Sequence, residues 1–163
     1  MGTLADLEPV PGGYAAMPVA EAFTWGEADE ALVGDWYLVA FRSIRRLDAD
    51  EALLCEYDER AHLEAAASPG FVHYFKGPTQ PDGSCLSFCL WTSQAEARAA
   101  AARPAHRDAV GLLNQMYAAY NLEFLRVQKS TAKAPLQFEP YSAGAIMEPS
   151  VPPLTLAPRP SPS

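Results

Sequence analysis

The sequence predicts an α+β domain of the split βαβ type, in which a four-stranded antiparallel sheet carries two helices on one face. Three observations predict it. Four runs of apolar, β-branched or aromatic residues lack breakers, two segments of helical spacing fall after the first and third runs, and Pro-Gly or Asp-Gly pairs punctuate the joins. The order strand, helix, strand, strand, helix, strand is the βαββαβ, or ferredoxin-like, arrangement.

Each element has its own signal. Residues 1–34 contain Pro9, Pro11, Gly12, Gly13 and Pro18 before the apolar "AFTW" and a short helical candidate, "GEADEALV". Breakers at that density read as an arm able to fold over a domain at 35–133. "WYLVAFRSIRR" is the first strand, apolar and β-branched throughout its first half. In "DADEALLCEYDERAHLEAAAS", Leu53, Tyr57, Ala61 and Ala65 recur every four residues and define one helix face, which Ser68-Pro69-Gly70 ends. "FVHYFKG" and "CLSFCLW" are the second and third strands, and "PTQPDGS" between them has the chemistry of a hairpin loop. "SQAE" is a capping box, since Ser93 can accept from the Glu96 amide while Glu96 reaches back to Ser93. The Ala-rich helix that follows is interrupted by Pro104. It resumes with Ala109, Leu112, Leu113, Met116, Tyr117 and Tyr120 on one stripe, up to a stop at Asn121. "LEFLRVQK" is the fourth strand. Residues 134–163 hold eight of the 15 prolines and form a tail. Phe138, Tyr141 and Ile146 could pack back on the domain, and the stretch from about Pro149 has the composition of a disordered segment.

Composition limits the function classes. A formal net charge of -8 and a pI near 4.8 oppose binding to a phosphate backbone, and the one dense basic run is Arg42, Arg45, Arg46. No apolar stretch reaches the length of a bilayer span, and the first residues lack the basic start and apolar segment of a secretory signal, so a cytoplasmic chain is expected. Three cysteines then read as reduced thiols. Cys85 and Cys89 lie four apart on a strand, about 13 Å along it, too far to share a zinc ion or a disulfide. No metal is expected.

Period two sorts the sheet. Cys85, Ser87, Cys89 and Trp91 share one face of the third strand, and Leu86, Phe88 and Leu90 share the other. One sheet face can be uniformly apolar and the other mixed, the mixed face combining Ala40, Ser87 and Cys89 with Trp91, Phe124 and the guanidinium groups of Arg42 and Arg126. The second strand adds His73 or Tyr74 to it, and parity leaves that choice open. Such a face suits a dimer interface or a chamber for a hydrophobic small molecule, lined by Trp91, Ser87, Cys89, Phe124 and Arg126.

Three segments carry a resemblance. "WYLVAFRSI", "AHLEAAASPGFVHYFKG" and "FCLWTSQAEARAAAARPAHRDAVGLLNQMYAAYNLEFLRV" resemble the dimeric α+β barrel superfamily of antibiotic-biosynthesis monooxygenases and small polyketide cyclases. The last is also similar to a group of small fungal proteins. The resemblance runs from about Trp36 to Gln128 and implies a homodimer acting on hydrophobic, often polyketide, molecules without an organic cofactor, although some members bind haem. A Tyr and His pair serves as acid and base in the cyclases it resembles, and this chain offers His73, Tyr74 and His62.

His73 could act as a general base, or sit hydrogen-bonded within the sheet. His62 could do the same, or pair with Asp58 one helical turn away. His106, at a helix restart, reads as exposed. Arg42 and Arg126 could hold a carboxylate, a thioester carbonyl or an enolate, or pair with surface acids. Buried packing is the expectation for the thiols, and Tyr14 in the arm could close a pocket. The resulting expectation is a cofactor-independent cyclase for a polyketide-like or β-dicarbonyl substrate. A monooxygenase on an electron-rich aromatic and a non-enzymatic dimeric binding protein are the alternatives.

Overall fold

A computed structural model describes residues 4–26 and 33–141. The "GEADEALV" segment, Ile146 and the last prolines lie largely or wholly outside these residues. The arm contains a 3-10 turn, Tyr14–Ala16, and a short helix α1 (Val19–Ala22). Then come β1 (Gly34–Arg45), α2 (Glu51–Ala66), β2 (Phe71–Phe75), β3 (Ser84–Trp91), α3 (Gln94–Ala101), α4 (Pro104–Gly111), α5 (Leu113–Met116), β4 (Tyr117–Lys129) and β5 (Gln137–Pro140). The strands form one antiparallel sheet in the order β2-β3-β1-β4-β5, so the ferredoxin-like core is present and the start of the tail adds a fifth, edge strand. Among the described residues no helix is long and apolar enough to cross a membrane.

The punctuation works as the side chains dictate. Asp50 Oδ1 accepts from the Leu53 amide at 3.0 Å and starts α2. Ser93 Oγ accepts from the Glu96 amide at 3.3 Å and starts α3, and Pro104 occupies the first position of α4, where its missing N–H costs nothing. Gly70 closes α2 with φ 80°, and a Cβ there would fall 1.9 Å from the Glu96 carboxylate. The boundary that differs is β4, which begins at Tyr117 and not at Leu122. The helical stripe ends at Met116 because the next residues find strand partners: Tyr120 lies opposite Ser43, Ala119 opposite Ile44 and Tyr117 opposite Arg45. A register shift between Ile44 and Arg45 lets Tyr117 and Tyr120 both reach Phe41, at ring separations of 5.2 and 5.9 Å.

Strand register also corrects the assignment of faces. Ser87 lies opposite Phe41, Cys89 opposite Val39 and Trp91 opposite Tyr37, and on β4 Phe124 and Arg126 lie opposite Val39 and Tyr37. This face packs on α2 and α3 through Ala65, Ala97 and Ala100. Ala40 lies opposite Phe88 and Arg42 opposite Leu86, so both belong to the other face and not with Ser87 and Cys89. A register shift between Phe71 and His73 sets β2: His73 lies opposite Leu90 and Tyr74 opposite Cys89, which separates the two side chains across the sheet.

The second face is the better packed one. Leu38, Leu86, Phe88 and Val127, the largest fully buried side chains, all lie on it. The arm covers them with Leu7, Tyr14, Val19, Phe23 and Trp25, so the molecule has three layers: helices, sheet and arm. Burial of each such side chain contributes about 1.5–3 kcal/mol, which makes the arm a part of the core. The docked arm covers most of the sheet face through which two such sheets would stack in a dimer.

Candidate active site

Between α2 and the end of the sheet, side chains from four elements converge. Tyr74 points from β2 to the helix layer, and its hydroxyl donates to Asp58 Oδ1 on α2 at 2.8 Å. Lys76, two residues further and therefore on the same side, places Nζ 3.4 Å from Asp58 Oδ2. Burial, then the Asp58 carboxylate beside it, push the Tyr74 phenol upward and keep its proton in place. Burial also pushes the Tyr117 phenol up to about 12, with the Arg45 guanidinium beside it pulling the other way. The His62 ring tilts against Tyr74 at 4.8 Å, but on an exposed helix position.

A cavity of about 390 Å³ opens next to this cluster. Arg45, Glu51, Leu54, Cys55, Lys76 and the Gly77-Pro78 segment line it. Arg45 Nη1 bonds Glu51 at 3.2 Å, whereas its Nε, like Ser43 Oγ, is buried without a hydrogen-bond partner among the described residues. Two cationic side chains, Arg45 and Lys76, thus line the cavity with Glu51, and Lys76 joins it to the Asp58 carboxylate and the protonated Tyr74 phenol behind it. That set can hold an anionic oxygen and move a proton.

The other expected site residues are placed elsewhere. His73, on the arm face, is half-buried with Nε2 unpartnered among the described residues, and burial holds its pKa below the usual range. Arg42 uses its fork within the protein, Nε to Glu123 Oε1 at 2.6 Å and Nη1 to the Ala15 carbonyl at 2.8 Å. It borders a second groove of about 490 Å³ between the arm, Leu125 and Phe138. Arg126 pairs with Asp35 at the exposed sheet end, and Phe124 stacks on Tyr37 at 6.1 Å. Trp91 is buried against Phe71, and Ser87 Oγ accepts from the Gly77 amide at 3.0 Å. Burial pushes the Cys89 thiol up to about 11, Cys85 is buried, and Cys55 is exposed where buried packing was expected. His106 is half-buried and not exposed, with Nδ1 unpartnered among the described residues. Of the predicted catalytic set, only Tyr74 and His62 come together. Asp58, Lys76 and Arg45 were not singled out for this role. The signal available was the i, i+2 spacing of Tyr74 and Lys76 at the end of β2, facing a carboxylate on the half-buried side of α2.

Comparison with known proteins gives the family and the fold. A family model described as PB2B2.08-like matches residues 1–140. UPF0643 protein PB2B2.08 of Schizosaccharomyces pombe is 30% identical over 129 residues, which cover 68% of this chain and 58% of that protein. The match therefore spans little more than half the length of that relative. Among solved structures, a Shewanella oneidensis protein superposes with a TM-score of 0.50 at 10% identity, covering 56% of this chain and 90% of the other. SnoaB of Streptomyces nogalater, a cofactor-independent oxygenase, gives a TM-score of 0.45 at 19% identity over 55% of this chain and 89% of its own. At these identities the likeness is one of fold.

Proposed function

Since the chain belongs to the PB2B2.08-like family, whose match takes in arm and sheet alike, we propose a function from the site that those elements build: a cofactor-independent cyclase for a small, hydrophobic, enolisable substrate of the polyketide or β-dicarbonyl class. The observation that carries the reading is the chain of contacts from Tyr74 through Asp58 to Lys76 at the rim of the cavity. The substrate enters with an enolisable carbonyl between Lys76 and Arg45. The Asp58 carboxylate takes the proton from carbon, and the two cations hold the enolate oxygen. The enolate carbon attacks a second carbonyl of the same molecule, so that one C–C bond forms and one C=O π bond opens. Tyr74 hands its proton to the new alkoxide and regains one from Asp58, which closes the balance without oxidant or reductant. Holding a flexible chain in the folded geometry contributes several kcal/mol of the barrier reduction. A homodimer fits this reading, through surfaces other than the arm-covered sheet face.

Linear tri- and tetracarbonyl analogues incubated with the protein test the reaction, with ring formation followed by absorbance and mass spectrometry. Asp58→Asn is expected to reduce turnover by roughly 10²–10⁴-fold with an unchanged circular dichroism spectrum. Turnover at the parental rate in Asp58→Asn would end this assignment. Stoichiometric oxygen uptake would replace cyclisation by monooxygenation, and saturable binding without product would leave a binding protein.

A further inference from the structure

We infer that Tyr14 is a positioning residue for the cavity wall, through which docking of the N-terminal arm shapes the proposed active site. The inference rests on that reading for its meaning, but its geometry is independent of it. Tyr14 is 3% exposed and packs on Phe23 within the arm layer, yet its hydroxyl leaves that layer. It donates to the Pro78 carbonyl and accepts from the Leu86 amide at 3.3 Å. Gly77 and Pro78 are the wall of the 390 Å³ cavity opposite α2. The segment has no secondary structure of its own, so its position is set by what grips it.

Three grips converge there. Ser87 Oγ accepts from the Gly77 amide at 3.0 Å, the Cys85 thiol lies 3.1 Å from the Gly77 carbonyl, and Tyr14 takes the next carbonyl. The fit leaves no slack: a Cβ at Gly77 would fall 2.0 Å from the Leu86 carbonyl oxygen and 2.5 Å from the Tyr14 hydroxyl. Ser87 and Cys85 belong to β3 and move with the sheet. Tyr14 is the grip that belongs to a separate segment, one joined to the sheet by side-chain packing and by the Arg42 bond to the Ala15 carbonyl. Loss of the Tyr14 hydroxyl would therefore loosen the wall while arm and sheet stay packed. The Leu86 amide and Pro78 carbonyl would then look for water, and the wall over Cys85 would open.

The three cysteines read this out without any substrate. Cys55 is exposed on α2 and serves as the reference, Cys85 is buried under the wall, and Cys89 is held beneath the helices. Native protein is treated with iodoacetamide, and each thiol is followed by peptide mass spectrometry. In Tyr14→Phe, which keeps the ring and loses the hydroxyl, alkylation of Cys85 is expected to rise at least tenfold, while Cys55 and Cys89 react as in the parent. Gly77→Ala, which displaces the wall with Tyr14 still present, is expected to give the same pattern. An unchanged Cys85 rate in Tyr14→Phe overturns the inference. A parallel rise at Cys89 also overturns it, because Tyr14 would then support the whole domain and not the wall. Failure of the cyclase assay leaves this result standing, and failure here leaves the Asp58 test standing.

Discussion

Replacing Phe23 by alanine tests whether the arm is core or ornament. Phe23 is 4% exposed, and its ring lies 4.9 Å from Phe75, 5.3 Å from Phe88 and 5.8 Å from both Tyr14 and Trp25. Truncating a buried phenylalanine costs about 3–5 kcal/mol, from lost transfer energy and the cavity left behind. Four aromatic neighbours, each pair worth about 0.5–1.5 kcal/mol beyond area alone, place this site in the upper half of that range. With a urea dependence of roughly 1–3 kcal/mol/M, a loss of about 4 kcal/mol lowers the unfolding midpoint by about 2 M. Urea unfolding followed by far-ultraviolet circular dichroism and by tryptophan emission measures it, since Trp25 reports from the arm and Trp36 and Trp91 from the sheet. Leu47→Ala, at a side chain 96% exposed, is the control and should change stability by less than about 0.5 kcal/mol. A Phe23→Ala loss below about 1 kcal/mol would refute the packing of the arm on the sheet.

Three further outcomes follow from the same contacts. Burial lowers the pKa of His73 and of His106 below 6.5, so between their native values and 6.5 the unfolded chain binds more protons than the native one. Their contribution is complete above pH 6.5 and is lost as pH falls through the native pKa values, so Tm should be lower at pH 5.5 than at pH 7.5. His73→Phe should shrink that difference, and equal Tm values at the two pH values in the parent would contradict the assignment. Arg42→Met removes the bonds to Glu123 and to the Ala15 carbonyl and should cost about 1–3 kcal/mol, with faster proteolysis in the arm; an arm cut at the parental rate counts against the latch. The Glu64 carboxylate accepts from the Ala105 and His106 amides at 3.1 and 3.2 Å, capping α4 from α2. Glu64→Ala should cost about 1–2 kcal/mol by thermal or urea denaturation, and an unchanged midpoint would exclude the cap.

Local chemistry carried most of the fold into the sequence. Asp50, Ser93, Pro104 and Gly70 mark helix ends because a cap, a missing N–H or a positive φ is a property of one or two residues. The start of β4 was harder to read. Ala109 to Tyr120 keep a helical spacing, and only pairing with the far end of β1 decides that Tyr117 to Asn121 extend. The site was hidden for a related reason. Whether Arg42 shares a face with Ser87 depends on inter-strand register, and whether His73 or Tyr74 faces α2 depends on a shift within β2. Asp58 and Lys76 lie 18 positions apart in sequence and meet because α2 folds back over β2. The arm was legible as an arm, but its place on the sheet was not, because proline and glycine content says nothing about docking.

The three layers also impose an order of assembly. A ribosome delivers Tyr14, Phe23 and Trp25 before any of the sheet exists, and the partners of Tyr14 at Pro78 and Leu86 emerge 64 and 72 residues later. Until β1 and β3 have paired, the arm has no surface to settle on. Contacts of such sequence separation form slowly. A nascent chain thus carries exposed aromatic residues ahead of the sheet, and a newly paired sheet that has yet to receive its arm presents Leu38, Leu86 and Phe88 to its surroundings. The interval between pairing and docking is the period of greatest exposure to self-association, and chaperones that shield apolar segments during synthesis would act in that interval.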